Sequence, residues 1–169
     1  VVLGAEYTFL EESALKAAYA RALATGLRVH AEILSEEHAV QAQQLGAHAL
    51  VACSFEGPGL VSEETGLVLL RAVSRRCPEL PVVLRGGVGP DSAAAAVAAG
   101  ASGVVLEHQL WACDVWPVSD KIKKRISSFN PTDTRSLGHT LGMRYRVFAQ
   151  IATRAPKELA ALEEELITK

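Results

Sequence analysis

The run Pro81-Val82-Val83-Leu84-Arg85-Gly86-Gly87-Val88-Gly89 decides the fold. Its first part is a short apolar segment of the kind buried in a parallel sheet. The glycines then allow a tight turn, because they lack the Cβ that blocks most backbone conformations. An alanine-rich stretch over residues 93–99 follows. It is opened by Asp91 or Gly89 and stopped by Gly100, which predicts a helix. The same strand, turn and helix recur on either side. Downstream, residues 103–106 (GVVL) read as another short apolar strand. Upstream, residues 48–53 (HALVAC) read as a strand, and residues 65–76 as a helix with Leu67, Leu70 and Val73 or Ala72 on one face. Residues 27–33 (LRVHAEI) alternate apolar and polar, as a strand does. Ser35 caps the next helix, with Glu36 and Glu37 in its first turn. Ala39, Ala42 and Leu45 give that helix an apolar stripe, and Gly46 ends it. Residues 1–3 and a helix over residues 12–25 fit the same alternation. Strands separated by helices imply a parallel sheet covered on both faces. Two architectures satisfy this: an open doubly wound sheet and a (β/α)8 barrel.

The character changes near Cys113. Asp114 to Pro117 breaks the pattern, and residues 121–125 (KIKKR) are a short basic stretch. Asn130-Pro131-Thr132-Asp133 reads as a turn. Residues 156–168 read as a helix with Leu159, Leu162 and Leu166 in line. The expected organisation is a β/α domain over residues 1–112 and a mostly helical extension over residues 113–169.

Composition narrows the function classes. Of 169 residues, 49% are hydrophobic, which excludes a disordered chain. Lys and Arg number 17 against 19 Asp and Glu, a net charge of −2, so nothing favours nucleic acid or an anionic membrane. The basic stretch has no interleaved aromatics and reads as a solvated helix face. No run approaches the ~18–20 apolar residues of a membrane span. No basic start leads into an apolar core and a small-residue cleavage site, so no signal peptide is expected. Cys53, Cys77 and Cys113 are widely spaced, without a C-x-x-C pair. They point to a reduced, cytoplasmic protein and to no metal site. The chain opens Val1-Val2-Leu3, without Met, and is expected to be a piece of something longer.

Two loops carry candidate chemistry. Arg85 to Gly89 lies between a buried strand and a helix, where backbone N–H groups suit an anion such as phosphate. The alternative is that its glycines only make a short turn. A second strand end follows at Leu106-Glu107-His108, and in barrels the loops after the last two strands often form a phosphate site. Ser54-Phe55-Glu56-Gly57-Pro58-Gly59 also follows a strand, which puts the Glu56 carboxylate at a strand end. An ordinary exposed loop is the other reading. His30 is either a barrel-facing residue or a hydrogen-bonded core histidine. His38, in the first turn of a helix, is expected to be solvated.

Read together, residues 30–111 resemble the flavin-dependent nitronate monooxygenase family (2-nitropropane dioxygenase-like), including its enoyl-reductase members. The matching stretches are Val29 to Ala39, Glu56-Gly57-Pro58-Gly59-Leu60, Pro81 to Val88, and Gly100-Ala101-Ser102-Gly103-Val104. A second stretch, residues 138–147 (GHTLGMRYRV), is similar to the segment after the barrel in such domains of large polyketide or fatty-acid synthases. The resemblance implies an FMN-binding (β/α)8 barrel that oxidises nitronates or reduces enoyl thioesters. At ~250 residues for a full barrel, this chain would be the C-terminal part of one, with a helical C-terminal extension. It also implies roles. Gly86, Gly87 and Gly89 would cradle the FMN phosphate, with Arg85, Glu107 and His108 beside it. Glu56 and Gly59 would line the flavin or substrate face, and His30 would supply the proton if it points inward. Expected partners are a small-molecule or acyl-thioester substrate and the other domains of a synthase.

The sequence departs from the family at three residues. The family's loop histidine falls at Leu60, which cannot exchange protons. The family's glycine and threonine after the last strand fall at Glu107 and His108, and Glu107 brings a negative charge toward a phosphate. Two other functions therefore stand beside the oxidoreductase. One is a degenerate barrel serving as a scaffold in a synthase. The other is a phosphosugar-binding barrel lyase or isomerase.

Overall fold

The computed structural model describes residues 1–149 and 154–168, and it divides into two compact units, Val1–Val105 and Leu106–Lys169. The first unit runs β1 (Val2–Leu3), a 3-10 turn (Ala5–Phe9), α1 (Glu12–Leu23), β2 (His30–Ile33), α2 (Glu36–Gln44), β3 (Ala49–Cys53), β4 (Gly59–Leu60), α3 (Gly66–Arg76), β5 (Val82–Arg85), α4 (Pro90–Ala98) and β6 (Gly103–Val105). Five of its strands form a parallel sheet in the order β1-β2-β3-β5-β6.

Strand alternation sorts the sheet into two faces. Leu3, Ala31, Ile33, Leu50, Ala52, Val82 and Leu84 pack in one cluster with Leu15 and Tyr19 of α1, Ala39 and Ala42 of α2, Leu69, Leu70 and Val73 of α3, and Ala96 of α4. Burial there pushes the Tyr19 hydroxyl up to about 12. All four helices thus contribute to one face. The opposite face carries a smaller cluster of Ala5, Leu34, Val51 and Cys53, with Leu60 and Val105 packed against it. Helices on one face are the cover of barrel strands, whereas a doubly wound sheet carries them on both. Both faces are covered, as the strand composition suggests, since all five residues of β3 are buried, but the helices lie on one face only.

Local signals place most boundaries. The Ser35 hydroxyl accepts the His38 N–H at 3.3 Å and caps α2. Ser35→Ala is expected to cost about 1 kcal/mol, read as a lower denaturant midpoint. Gly46 and Gly100 take positive φ, 90° and 105°, directly after α2 and α4. There Gly46 N–H bonds Gln43 O and Ala47 N–H bonds Ala42 O, while Gly100 N–H bonds Val97 O and Ala101 N–H bonds Ala96 O. Both are Schellman turns, a geometry that favours glycine.

Three expectations are corrected. The strand expected over residues 27–33 begins at His30, because the Val29 N–H donates to His48 Nδ1 at 3.0 Å and Leu27 lies exposed. Leu67, expected on the buried face of α3, is exposed together with Val68, and Leu69 joins Leu70 and Val73 instead. His38, expected in solvent, is half-buried against Phe9.

The second unit contains α5 (Asp120–Ser127), β7 (Thr134–Leu137), β8 (Tyr145–Phe148) and α6 (Ala155–Thr168). Strands β7 and β8 pair antiparallel, with Thr134 opposite Phe148 and Leu137 opposite Tyr145. This region, read from sequence as mostly helical, therefore also holds a hairpin. Phe129 stacks on Phe148 at 4.5 Å between ring centroids, and Arg125 lies over the same ring. The described part of α5 buries no residue, as its basic sequence suggests. Leu159, Leu162 and Leu166 of α6 line an apolar groove with Leu137, Met143 and Val147.

Candidate active site

The C-terminal ends of β2, β3 and β5 bring the candidate residues of the first unit together. Strand β5 ends at Arg85, paired with Cys53 at the end of β3. The chain then turns through Gly86 at φ 101° and Gly87 at φ 63°. A Cβ on Gly86 would meet Gly57 N at 2.5 Å and Ser54 Oγ at 2.7 Å. The β5–α4 loop is thus laid against the loop after β3. Ser54, fully buried, donates its hydroxyl to Gly86 O at 3.4 Å and its N–H to Arg85 O at 2.9 Å.

Glu56 sits between these loops. Its Oε2 accepts the Gly66 N–H at 3.1 Å, at the start of α3, and its Cβ lies against Gly87. A carboxylate is favoured there by the positive end of the helix. Gly89, at the start of α4, has an extended backbone and open space where a Cβ would go. Its N–H donates to Ser92 Oγ at 2.8 Å, and that hydroxyl donates to Gly87 O at 3.1 Å. The Gly87 N–H makes no hydrogen bond among the described residues.

On the face of the sheet away from the helices, Arg85 Nη1 reaches Glu32 Oε1 at 2.8 Å. The other oxygen of Glu32 accepts the Ala5 N–H at 3.1 Å. Arg85 Nη1 also approaches Cys53 Sγ at 3.7 Å. Both charged side chains are about one-fifth exposed, 22% for Arg85 and 19% for Glu32, so the pair is largely withdrawn from water. Leu60 packs against the apolar cluster that contains Cys53.

The structure thus gathers Glu56, Arg85, Gly86, Gly87 and Gly89. His30 opens β2, at the edge of the sheet opposite the strand ends, and is half-buried. Gly59 begins β4 at φ 74° with open space around it. Glu107 precedes the 3-10 turn His108–Ala112 of the second unit, where its N–H donates to Gln109 Oε1 at 3.1 Å. The side chain of His108 lies outside the described residues.

Sequence reading passed over Glu32, Ser54 and Ser92. Glu32 had a signal: it is a charge inside a short strand, two residues from His30 and on the same face. Among the described residues no group of three or more His, Cys, Asp or Glu is placed to hold a metal ion, and no helix is long and apolar enough to cross a membrane. Cys53 and Cys77 are buried free thiols, and Cys113 is an exposed one.

No family model and no curated protein matches the sequence. Solved structures do match. FabK from Thermotoga maritima superposes on 99% of this chain with a TM-score of 0.73 and 26% identity, using 52% of its own length. Nitroalkane oxidase from Streptomyces ansochromogenes shares the fold over 80% of this chain and 42% of its own, with a TM-score of 0.64 and 24% identity. Thiamine phosphate pyrophosphorylase from Pyrococcus furiosus matches 75% of this chain and 57% of its own, with a TM-score of 0.52 and 25% identity. The chain spans about half the length of the first of these structures.

Proposed function

We propose that this chain is the C-terminal part of an FMN-dependent (β/α)8 oxidoreductase of the nitronate monooxygenase and enoyl-reductase kind, built into a larger synthase. The observation that carries this reading is the superposition of nearly the whole chain on half of FabK. The β5–α4 loop supports it. Gly87 presents an N–H without a partner among the described residues, Gly89 opens to free space, and α4 begins directly behind them. The first-turn amides and dipole of a helix suit a phosphate, so these residues fit the phosphate end of FMN.

Bound FMN would supply the hydride or electron transfer. The roles of the chain's own residues follow from their places. Gly86, Gly87 and Gly89 hold the phosphate. Glu56 ties the loop after β3 to α3, and Glu32 fixes Arg85 at the end of β5. Gly59 lines the flavin face. Proton transfer falls to Glu56, since His30 stands at the opposite end of β2. The substrate would be a small molecule or an acyl thioester, the other partners the remaining synthase domains, and the setting the cytoplasm.

A second reading is favoured by specific features. Leu60 is apolar and packed, the Glu56 carboxylate already serves α3, and His30 stands away from the strand ends. A barrel that keeps the frame without turnover, as a scaffold, has these properties. The pyrophosphorylase likeness leaves a phosphosugar-binding barrel as the third reading.

A visible absorption spectrum and an FMN titration on the longest parent protein test these readings. The oxidoreductase reading expects a flavin band, saturable binding, and loss of at least about tenfold in affinity for Gly87→Asp, a ~1.4 kcal/mol effect. A folded parent protein that binds no flavin moves the scaffold reading into first place. A phosphosugar that raises the Tm where FMN does not would favour the third.

A further inference from the structure

The 3-10 turn Ala5–Phe9 follows β1 directly and is held at both of its ends. At its start, Ala5 is buried and donates its N–H to Glu32. At its end, Phe9 meets the His38 ring edge-on, with 6.3 Å between centroids and 73° between planes. His38 Nδ1 is buried and has no hydrogen-bond partner among the described residues. We propose that His38 is an acid-released latch on this turn, so that protonation of its ring frees Phe9 and loosens the chain beside the Glu32–Arg85 pair.

The physical argument starts from the neutral ring. A buried imidazole nitrogen without a partner is tolerated better uncharged than charged. His38 also lies in the first turn of α2, where the helix dipole disfavours a cation. Ionisable groups surround it on every side. Glu36 and Glu37 belong to its own helix, and Arg76 of α3 lines the outer cleft with them. Tyr7 of the turn, Tyr19 of α1 and Glu32 of β2 line the small cavity on the inner side. Burial wins over the attraction of Glu37 and holds His38 below the ordinary value of 6.5. The sign follows from linkage. A depressed histidine pKa means that the latched state binds fewer protons than the open one. Its stability is complete above about 6.5 and is lost as pH falls from there through the latched-state pKa. A charged ring must swing out to water, and Phe9, already 39% exposed, then loses the ring it packs against. The Ala5 end, bound to Glu32, then acts as the hinge. Flavin binding is not required for any of this.

Hydrogen exchange on the full chain tests the latch. The reporters are the Tyr7 and Leu10 amides, which bond Gly4 O at 3.1 Å and Tyr7 O at 3.2 Å. Their exchange, corrected for the intrinsic pH dependence, is expected to rise between about pH 7.5 and 5.0, by up to tenfold per unit of pKa depression. The His38 ring, followed by NMR, should titrate below the free-histidine range over the same interval. In His38→Phe the rise should disappear. The latch is overturned if His38 titrates at or above the ordinary value, if the wild-type amides show no rise, or if His38→Phe shows the same rise. Should that variant fail to fold, Phe9→Ala serves. The His38 titration must then move toward its ordinary value, and an unchanged titration overturns the proposal.

Discussion

Replacing Gly86 with alanine is expected to destabilise the first unit by about 2–6 kcal/mol, combining ~1–3 for strain with ~1–3 for overpacking. At φ 101° an L side chain is strained whatever space surrounds it. There is also no space. The new Cβ would fall 2.5 Å from Gly57 N and 2.8 Å from Gly57 Cα, both backbone atoms that cannot swing aside. Ser54, which bonds Gly86 O from a fully buried position, would be pushed off as well. Gly89→Ala is the control. Its backbone is extended and its Cβ would meet nothing within 4 Å. It should cost no more than about 1 kcal/mol, as the loss of a glycine cap. Urea midpoints of the two variants make the comparison. Equal, small effects would mean that loop-on-loop packing does not require Gly86.

The second large effect is expected at Glu32. Glu32→Ala removes the carboxylate that the largely withdrawn Arg85 guanidinium meets at 2.8 Å, and it takes away the acceptor of the Ala5 N–H. Removing one partner of a buried pair typically costs 3–5 kcal/mol, and the remaining exposure reduces this to about 2–4. The double variant Glu32→Leu with Arg85→Met should recover most of that loss. The cost lies in removing one half of a largely withdrawn pair, and an apolar pair of similar volume is often neutral or better. A double-mutant cycle from denaturant melts reads the coupling directly. If Glu32→Ala is silent, the pair is solvated in solution and contributes nothing to the order of the strand ends.

Much of the first unit was legible in the residues. Strands β3, β5 and β6 were short apolar runs and β2 an alternating one, and each helix after β2 and β5 was bracketed by local signals, Ser35 and Gly46 or Gly89 and Gly100. Those signals act within a few residues, so a sequence carries them whole. The glycines after β5 were read as a turn beside a ligand. The positive φ of Gly86 and Gly87 fits that, but the close approach of Gly57 shows that Gly86 also serves a packing need from a distant loop. Sequence spacing cannot reveal such a contact, because it joins residues some thirty positions apart. The replacement of Leu67 by Leu69, two positions on, at the buried face of α3 has the same origin. Which side of a helix is buried depends on the sheet beneath it, and apolar residues occupied both sides.

The sequence by itself determined the alternation of strands and helices, the parallel direction of the sheet and the loop after β5 as a candidate anion site. Hydrophobic period, caps and glycines encode these locally. Only the tertiary structure decided that the helices gather on one face, that Glu32 on β2 neutralises Arg85 on β5, and that Glu56 faces the start of α3. Each of these depends on strand register and loop packing. A shift of one residue turns a side chain to the other face of the sheet, and the energy that fixes the register is spread over the whole core.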